Sequence, residues 1–379
     1  MKIDSSNIME NLPFHLNNPS LKLPENQTVA ILKSKDALSF HQALSEYYPS
    51  PLISLASLAK SMGLGAIYVK DESHRFGLNA FKGLGASFAI QQLLEFKPEI
   101  EVFCTATDGN HGRAVAWASK MSGKKAVVFV PSDTSLNRIK AIEKEGATVV
   151  QLNKNYDETC AHAARISHLN QWELVQDTAW EGYENVPADI MTGYLTHFKE
   201  LEDDLHREGS PEVDVVFLQV GVGSWAGAAA FYYLNRYGKR CPILITVEPD
   251  GSAGFFDSLK EGMRRAPKIN APTIMGGLNC GIPSLSGWDL LKNSVTAAMR
   301  ITDARSKEAM RELYSPLEND EKIISGESGA AGLAGLLSLL KDPAFSSLKE
   351  QLQIGPQSRI LIFNTEGNTD EERFEQIIS

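Results

Sequence analysis

Short apolar segments alternate with amphipathic segments through the middle of the chain, and this alternation constrains the fold more than any other feature. Residues 102–105, 126–130 and 149–152 have the length and apolar character of buried strands. Helical periodicity separates them, with one helix predicted to begin at Ser135. Regular alternation of strand and helix predicts a parallel sheet covered by helices.

A second set of predicted strands lies further along the chain. Residues 213–220, 243–248 and 359–364 are near-continuous apolar runs, which are typical of strands buried on both faces. We therefore predict an α/β protein of two doubly wound domains, with the ligand in the cleft at the carboxyl ends of the strands. The predicted divisions are an N-terminal arm at residues 1–45, a larger domain at 46–84 and 188–379, and a smaller α/β domain at 85–187.

Composition and charge exclude several classes of protein. The 379 residues are 43% hydrophobic, enough for a sizeable core, and the net charge of −10 comes without a long basic run, so nucleic acid is not an expected partner. The longest apolar run, residues 330–340, has about half the length needed to cross a bilayer. It predicts a buried helix, so no membrane association is expected.

The cysteines and the first residues indicate a cytoplasmic protein. Four cysteines lie far apart without a CxxC spacing, which argues against structural zinc and fits a reducing compartment. Residues 1–11 lack the basic and then apolar order of a secretory signal. We therefore expect cytoplasmic localisation and no metal site.

The first candidate site is Lys82, within the sequence NAFKGLGA at residues 79–86. An aromatic residue and several small residues flank this lysine where a helix is predicted to start. Such a lysine can be desolvated enough to lose its proton and attack an aldehyde, as a Schiff-base lysine must. Taken alone, the segment also fits an ordinary surface lysine whose aliphatic stem packs on apolar neighbours.

The second candidate site is the sequence TATDGNHG at residues 105–112, between a predicted strand and a predicted helix. Backbone amides at a helix start can bind a carboxylate, and glycines let the chain approach it closely. Asn110 offers a hydrogen bond to a ring hydroxyl. In isolation the segment is equally consistent with a glycine-rich turn in which Asp108 caps the helix.

The third candidate site is the sequence QVGVGSWAG at residues 219–227, which also follows an apolar strand and opens a helix. It suits a phosphate monoester held by backbone amides and the hydroxyl of Ser224. The same loop suits a dinucleotide, with Glu248 about 20 residues beyond it as the ribose ligand. The predicted phosphate-binding residues are Gly221, Val222, Gly223, Ser224 and Gly227.

The order of the three segments distinguishes these alternatives. A lysine at an early helix, an asparagine loop and then a glycine loop is the order of the tryptophan-synthase-like, fold type II pyridoxal-phosphate (PLP) enzymes, which the chain resembles from about residue 45 onward. The resemblance implies pyridoxal 5'-phosphate as cofactor, a Schiff base on Lys82, ring contacts from Asn110 and Thr365, and a homodimer.

Within that superfamily the sequence resembles the diaminopropionate ammonia-lyase family. The runs that carry the resemblance are KDES at 70–73, RFGLNAFK at 75–82, TDGNHGR at 107–113, QDTAWEGY at 176–183 and SGESGA at 325–330. The resemblance implies α,β-elimination of ammonia from D- and L-2,3-diaminopropionate, a small amino acid, to give pyruvate and two molecules of ammonia.

Asp108 separates the sequence from serine and threonine dehydratases, which carry a small hydroxyl residue at that place. A carboxylate there repels the carboxylate of a substrate by about 1 kcal/mol or more in a partly dry site, so a substrate with a second ammonium group explains it better. The resemblance implies that Asp108 and Asp177 act as bases for the two enantiomers. The residues expected to bind substrate are Thr107, Asp108, Gly109, His111 and Asp177.

Three other functions compete with this interpretation. A serine or threonine dehydratase of the same fold retains Lys82 and the glycine loop but has no use for Asp108. A non-catalytic PLP-binding protein needs neither aspartate. A nicotinamide-dependent oxidoreductase accounts for the glycine loop but leaves the Lys82 segment unexplained.

Overall fold

The computed structural model describes residues 12–107, 109–209 and 212–379. The strands are β1 (Phe14–Leu16), β2 (Leu52–Ser54), β3 (Ala66–Asp71), β4 (Val102–Ala106), β5 (Lys125–Val130), β6 (Thr148–Gln151), β7 (Glu173–Leu174), β8 (Val215–Gln219), β9 (Ile243–Pro249), β10 (Val295–Ile301) and β11 (Arg359–Asn364). The α-helices are α1 (Gln27–Ser34), α2 (Ala37–Gln42), α3 (Ala56–Ser61), α4 (Lys82–Phe96), α5 (Asn110–Met121), α6 (Leu136–Lys144), α7 (Tyr156–Asn170), α8 (Asn185–Arg207), α9 (Ser224–Tyr237), α10 (Gly254–Glu261), α11 (Leu285–Ser294), α12 (Asp303–Tyr314), α13 (Ala331–Lys341), α14 (Ser346–Gln351) and α15 (Glu371–Ile378).

The larger sheet has seven strands in the order β1-β10-β9-β8-β11-β3-β2. Its five inner strands are parallel, and the short strands β1 and β2 pair antiparallel at the two edges. The inner strands are buried on both faces because helices cover the sheet on either side. The predicted buried helix at residues 330–340 is confirmed as α13, which packs in this core.

The smaller sheet has four parallel strands in the order β6-β5-β4-β7. Two small apolar clusters pack against its two faces, one beneath α5 and α6 and the other beneath α7. The predicted α/β architecture of two doubly wound sheets is therefore confirmed.

The structure departs from the predicted arm at the beginning of the chain. Residues 1–11 lie outside the described residues, but residues 12–34 hold strand β1 and helix α1 where the sequence predicted an irregular arm, and α2 follows them. Strand β1 is only three residues long and gains its order by pairing with β10, so local sequence pattern carries little signal for it. The predicted domain boundaries remain a prediction.

A buried cluster of charged side chains joins the end of β3 and the residues that follow it to helix α8. The Arg75 guanidinium donates to Glu72 at 2.8 Å and to Glu200 at 2.7 Å, and all three side chains are almost fully buried. Lys70 pairs with Asp204 at 2.8 Å in the same cluster. Burial alone would raise the pKa of the Glu72 carboxyl, but the adjacent Arg75 charge outweighs it and holds that pKa well below its usual range.

Among the described residues, no helix combines the length and the apolar character that crossing a membrane requires.

Candidate active site

Most of the predicted site residues meet in one cavity between the two sheets. Thr107 and Asn110 follow strand β4 of the smaller sheet, whereas Gly221 follows β8 and Thr365 follows β11 of the larger sheet. The carboxyl ends of strands from both sheets therefore face the same space. The other predicted site residues that line it are Lys82, His111, Asp177, Val222, Gly223 and Ser224.

Two predicted site residues, Gly109 and Gly227, are not among the described residues that line the cavity. Gly109 precedes α5, and its N–H donates to the Thr107 hydroxyl at 2.9 Å. Gly227 lies within α9, where a Cβ would come within 2.9 Å of the Cα of Gly287, so it serves the packing of α9 on α11. Asp108 lies outside the described residues.

Lys82 is the first residue of α4, and glycines hold this helix tightly against α8. A Cβ on Gly85 would come within 2.5 Å of the Tyr194 ring, and a Cβ on Gly193 would come within 2.3 Å of the Leu84 carbonyl oxygen. Only glycine permits such a close approach of the two helices. The backbone of Lys82 is therefore fixed by packing on the wall of the cavity.

The Lys82 Nζ atom lies 2.5 Å from Asp177 Oδ2, and the two side chains are 19% and 5% exposed. Burial lowers the pKa of the Lys82 ammonium, but the Asp177 charge outweighs burial and the net pKa is raised. Burial raises the pKa of Asp177, whereas the charge of Lys82 brings it down to about 2. Without cofactor, Lys82 is thus a protonated amine that is paired with an ionised Asp177.

His111 is a neutral imidazole beside this pair. Its Nε2 atom lies 2.8 Å from the Val175 carbonyl oxygen, which can only accept, so Nε2 carries the hydrogen. Burial lowers the pKa of His111, and the opposing charge of Asp177 does not reverse that direction. The lone pair of Nδ1 therefore lies on the side of Asp177, whose Oδ2 is 3.9 Å away.

The asparagine loop folds back sharply into the start of α5. A Cβ on Gly112 would come within 2.3 Å of Thr107 Cγ2, so glycine is required where the loop closes on itself. Helix α5 then begins at Asn110 on the cavity wall, and free backbone N–H groups at such a helix start bind carboxylates. The Asn110 side chain reaches across the cleft, where its Nδ2 donates to Glu366 Oε2.

The glycine loop after β8 fits a phosphate monoester. Gly223 has a φ of +90° and precedes α9, which starts at Ser224. A Cβ on Gly221 would come within 2.9 Å of the Gly277 carbonyl oxygen and 3.1 Å of Cys280 Sγ, so the loop is a narrow backbone cradle. The start of α9 adds partial positive charge. The Ser224 hydroxyl donates to the Asp177 carbonyl oxygen, which ties this loop to the Lys82 pair.

The Thr365 hydroxyl can donate a hydrogen bond into the cavity. Its Oγ1 accepts from Gln219 Nε2 at 3.0 Å, so its own hydrogen is available to another acceptor in the cavity. A pyridine nitrogen is such an acceptor, and a neutral hydroxyl leaves that nitrogen unprotonated. Lys82, the glycine loop and Thr365 therefore fit the aldehyde, the phosphate and the ring nitrogen of PLP.

Glu248 does not serve as a ribose ligand. Its two carboxylate oxygens accept from the backbone N–H groups of Phe255 and Phe256 at 2.8 and 2.6 Å, at the start of α10. Burial raises the pKa of this carboxyl to about 8. The acid that a dinucleotide site would need is thus committed to capping a helix, which removes the main support for the nicotinamide alternative.

Several cavity residues were not identified from the sequence. Gln219 is the last residue of β8 and opens the glycine segment, and Glu366 follows Thr365 just after β11, so the carboxyl end of a strand was a usable signal for both. Tyr156, Gly277, Leu278 and Cys280 belong to segments without a recognisable motif.

Comparison with known proteins identifies the family. Residues 43–365 match the family described as pyridoxal-phosphate dependent enzyme. The chain belongs to this family. Its sequence is 38% identical to that of diaminopropionate ammonia-lyase of Salmonella typhimurium over 367 residues, which cover 90% of this chain and 91% of the relative. The predicted resemblance to the diaminopropionate ammonia-lyases is thereby confirmed.

Solved structures of this PLP-dependent family give the same result. The crystal structure of diaminopropionate ammonia-lyase from Escherichia coli with an aminoacrylate-PLP azomethine reaction intermediate superposes with a TM-score of 0.88 at 38% identity, covering 97% of both chains. By contrast, an L-threonine dehydratase of Staphylococcus aureus is 26% identical over 76% of this chain. The fold type II assignment and the PLP cofactor are confirmed.

Proposed function

We propose that this chain is an enzyme that uses PLP to eliminate ammonia from 2,3-diaminopropionate, with Lys82 and Asp177 at the centre of the reaction. The observation that carries the proposal is the buried Lys82–Asp177 pair, which faces a phosphate cradle across one cavity. The ammonia-lyase relatives at 38% identity support the substrate. The products are pyruvate and two molecules of ammonia.

The residues that hold PLP are assigned from the cavity wall. Lys82 binds the aldehyde carbon, residues 221–224 hold the phosphate, Asn110 faces the ring hydroxyl and Thr365 faces the ring nitrogen. Once bound, the cofactor supplies an electron sink at the carbon that carries the α-amino group. Thr107 and the first backbone N–H groups of α5 hold the substrate carboxylate.

Asp177 removes the α-proton of one enantiomer. Its lowered pKa keeps it ionised at neutral pH, and its Oδ2 lies against the Lys82 nitrogen, where the substrate reacts. We assign the α-proton of the other enantiomer to Asp108. Both carboxylates also attract the β-ammonium group of the substrate, which a hydroxy amino acid lacks.

The β-amino group must leave as ammonia, so it has to remain protonated while its bond to carbon breaks. As a free amine, Lys82 would hold a proton near that nitrogen, since the pKa of its ammonium is raised beside Asp177. An aspartate beside the group is the alternative acid. The buried side chains that line the cavity limit the access of water to the reacting atoms.

The decisive experiment measures pyruvate release by PLP-loaded protein from D- and L-2,3-diaminopropionate, with D- and L-serine and L-threonine alongside. Asp108→Asn and Asp177→Asn are compared with Asp203→Asn, which removes the same charge from an exposed position on α8. We expect diaminopropionate to be the best substrate, the two site variants to damage the two enantiomers unequally, and the control to match wild type. A preference for serine or threonine would instead establish the dehydratase alternative.

We also propose that the enzyme is a cytoplasmic homodimer with a larger domain at residues 46–84 and 188–379 and a smaller domain at 85–187. The cysteine spacing and the fold type II resemblance support this. Light scattering on the purified holoenzyme tests the dimer, and a monomer mass would contradict it. Limited proteolysis followed by mass spectrometry tests the domain boundaries.

A further inference from the structure

Glu366 is a buried carboxylate in the cofactor cavity that the mechanism above does not use. It is 3% exposed and follows Thr365 directly after strand β11. Its Oε2 accepts from the side-chain amide of Asn110, and its Oε1 accepts from the backbone N–H of Ser328 at 3.0 Å. The carboxylate therefore joins the start of α5 in the smaller-sheet unit to a loop beside the larger sheet.

Glycines pack closely around Glu366 and leave room for its side chain. A Cβ on Gly326 would come within 3.0 Å of both Cγ and Oε1 of Glu366, and a Cβ on Gly329 would come within 2.4 Å of the Glu366 carbonyl oxygen. The Gly277 N–H donates to Ser328 Oγ at 3.0 Å, which ties a second loop to the one that holds Glu366. The side chain is thus held from several directions, so the position of its carboxylate is well defined.

A carboxylate in this position determines which way the Asn110 amide points. An ionised carboxylate only accepts hydrogen bonds, so it selects the –NH₂ group of Asn110 over the carbonyl oxygen. The second hydrogen of the same –NH₂ group remains available to the cavity. Asn110 is thereby oriented as a donor toward a ring hydroxyl, and a donor at that place stabilises the deprotonated form of the hydroxyl.

We propose that Glu366 is a positioning residue that holds the side-chain amide of Asn110 as a hydrogen-bond donor to the ring hydroxyl of the cofactor. This inference rests on the cofactor pocket of the proposed function but not on the choice of substrate. It predicts that Glu366 affects cofactor binding and the protonation state of the ring through Asn110.

The test uses the holoenzyme and two measurements made without substrate. Equilibrium titration with PLP should give about a tenfold weaker affinity for Glu366→Ala, the size expected for a hydrogen bond to a charged group. The absorption spectrum of the bound cofactor should shift from the long-wavelength band of the deprotonated ring hydroxyl toward the short-wavelength band. Glu366→Gln has one oxygen for the two donors, the Asn110 amide and the Ser328 N–H, so its PLP affinity and its spectrum should lie between those of wild type and Glu366→Ala. This variant also provides the test if Glu366→Ala fails to fold.

A double-mutant cycle separates positioning from a purely structural role. If Glu366 acts through Asn110, Glu366→Ala should add no further loss of affinity or spectral shift in an Asn110→Ala background. The matched control is Glu327→Gln, which neutralises a buried carboxylate nearby that faces Arg373 at 3.7 Å and is not part of the cavity wall. It should leave both measurements within twofold of wild type.

Two results would overturn the proposal. One is an equal loss from Glu366→Ala with and without Asn110, which would assign Glu366 to the loop structure alone. The other is an equal effect of Glu327→Gln, which would assign the effect to general electrostatics. A preference for serine over diaminopropionate, by contrast, would refute the proposed function and leave this inference intact.

Discussion

Lys82 Nζ and Asp177 Oδ2 lie 2.5 Å apart and join the start of α4 to the segment that follows β7. The pair joins the helix start that follows β3 of the larger sheet to the segment that follows β7 of the smaller sheet. The Ser224 hydroxyl, which donates to the Asp177 carbonyl oxygen, extends this link to the glycine loop. The lysine, the base and the phosphate loop are therefore one connected arrangement in the cofactor-free protein.

The acid stability of the cofactor-free protein should depend on Asp177. A carboxyl whose pKa is lowered on folding stabilises the fold above its unfolded pKa, and this contribution disappears as pH falls through the folded pKa. For Asp177 the pKa changes from 3.8 to about 2, which corresponds to about 2 kcal/mol. Urea unfolding between about pH 5 and pH 2 should show this loss in wild type and not in Asp177→Asn. If the free energy of unfolding fell equally with pH in wild type and in Asp177→Asn, the predicted contribution of Asp177 would be refuted.

Lys82→Arg should separate the charge of the lysine from its reactivity. Arginine retains a cation for Asp177, but its guanidinium stays protonated and cannot attack an aldehyde. Pyruvate release should fall by about 10³-fold or more, and borohydride should no longer fix PLP covalently to the protein. Lys82→Ala also leaves Asp177 unpaired and should be less stable than Lys82→Arg by about 2 kcal/mol. Retained covalent labelling in either variant would show that another lysine binds PLP.

Gly223→Ala should weaken PLP binding through the conformation of the phosphate loop. Gly223 has a φ of +90°, and an added Cβ would lie 3.2 Å from Leu291. Gly262→Ala is the control because Gly262 has a φ of +74° with nothing within 4 Å of an added Cβ. Each variant should lose about 1 kcal/mol of stability from the left-handed backbone, but only Gly223→Ala should raise the Kd for PLP, by about tenfold. Equal Kd values would exclude the loop as the phosphate site.

Arg75→Ala should be among the most damaging substitutions that do not touch the cavity. It leaves Glu72 and Glu200 buried without their guanidinium partner, and breaking a buried ion pair from one side costs about 3–5 kcal/mol. Arg207→Ala is the matched control, since that side chain is 72% exposed and should cost less than about 1 kcal/mol. Denaturant midpoints of the two variants measure the contrast. Similar midpoints would mean that the cluster is not a stabilising unit.

The sequence predicted the parts of the fold that depend on local pattern. Strands β4, β5, β6, β8, β9 and β11 and the buried helix α13 all lie where apolar runs indicated them. Strand β10 (Val295–Ile301) was not predicted, because its run is interrupted by Arg300 and follows α11 without a turn signal. Strands β1, β2 and β7 are too short to produce a recognisable period, and pairing with neighbours gives them their order.

The candidate site was predictable where a motif joins a strand to a helix. Lys82, Asn110 and the glycine loop were singled out in that way, and the structure brings them to one cavity, while their roles stay predictions. Gly227 shows the limit of such a reading, since the pattern placed it with the phosphate loop while the structure uses it to pack α9 against Gly287. Glu366 was missed because its one signal, a position just after a strand, does not by itself mark an acid as functional, and its contact with Asn110 is seen only in the structure.

The two antiparallel strands at the ends of the larger sheet have a consequence for solubility. Each is three residues long, so each presents few unpaired backbone groups to another molecule. Removing residues 12–20 would uncover the seven-residue strand β10, with apolar Val295 and Met299 along an open edge. Such an edge is a template for intermolecular strand pairing. The short strand β1 therefore protects the sheet against aggregation, apart from anything it contributes to the reaction.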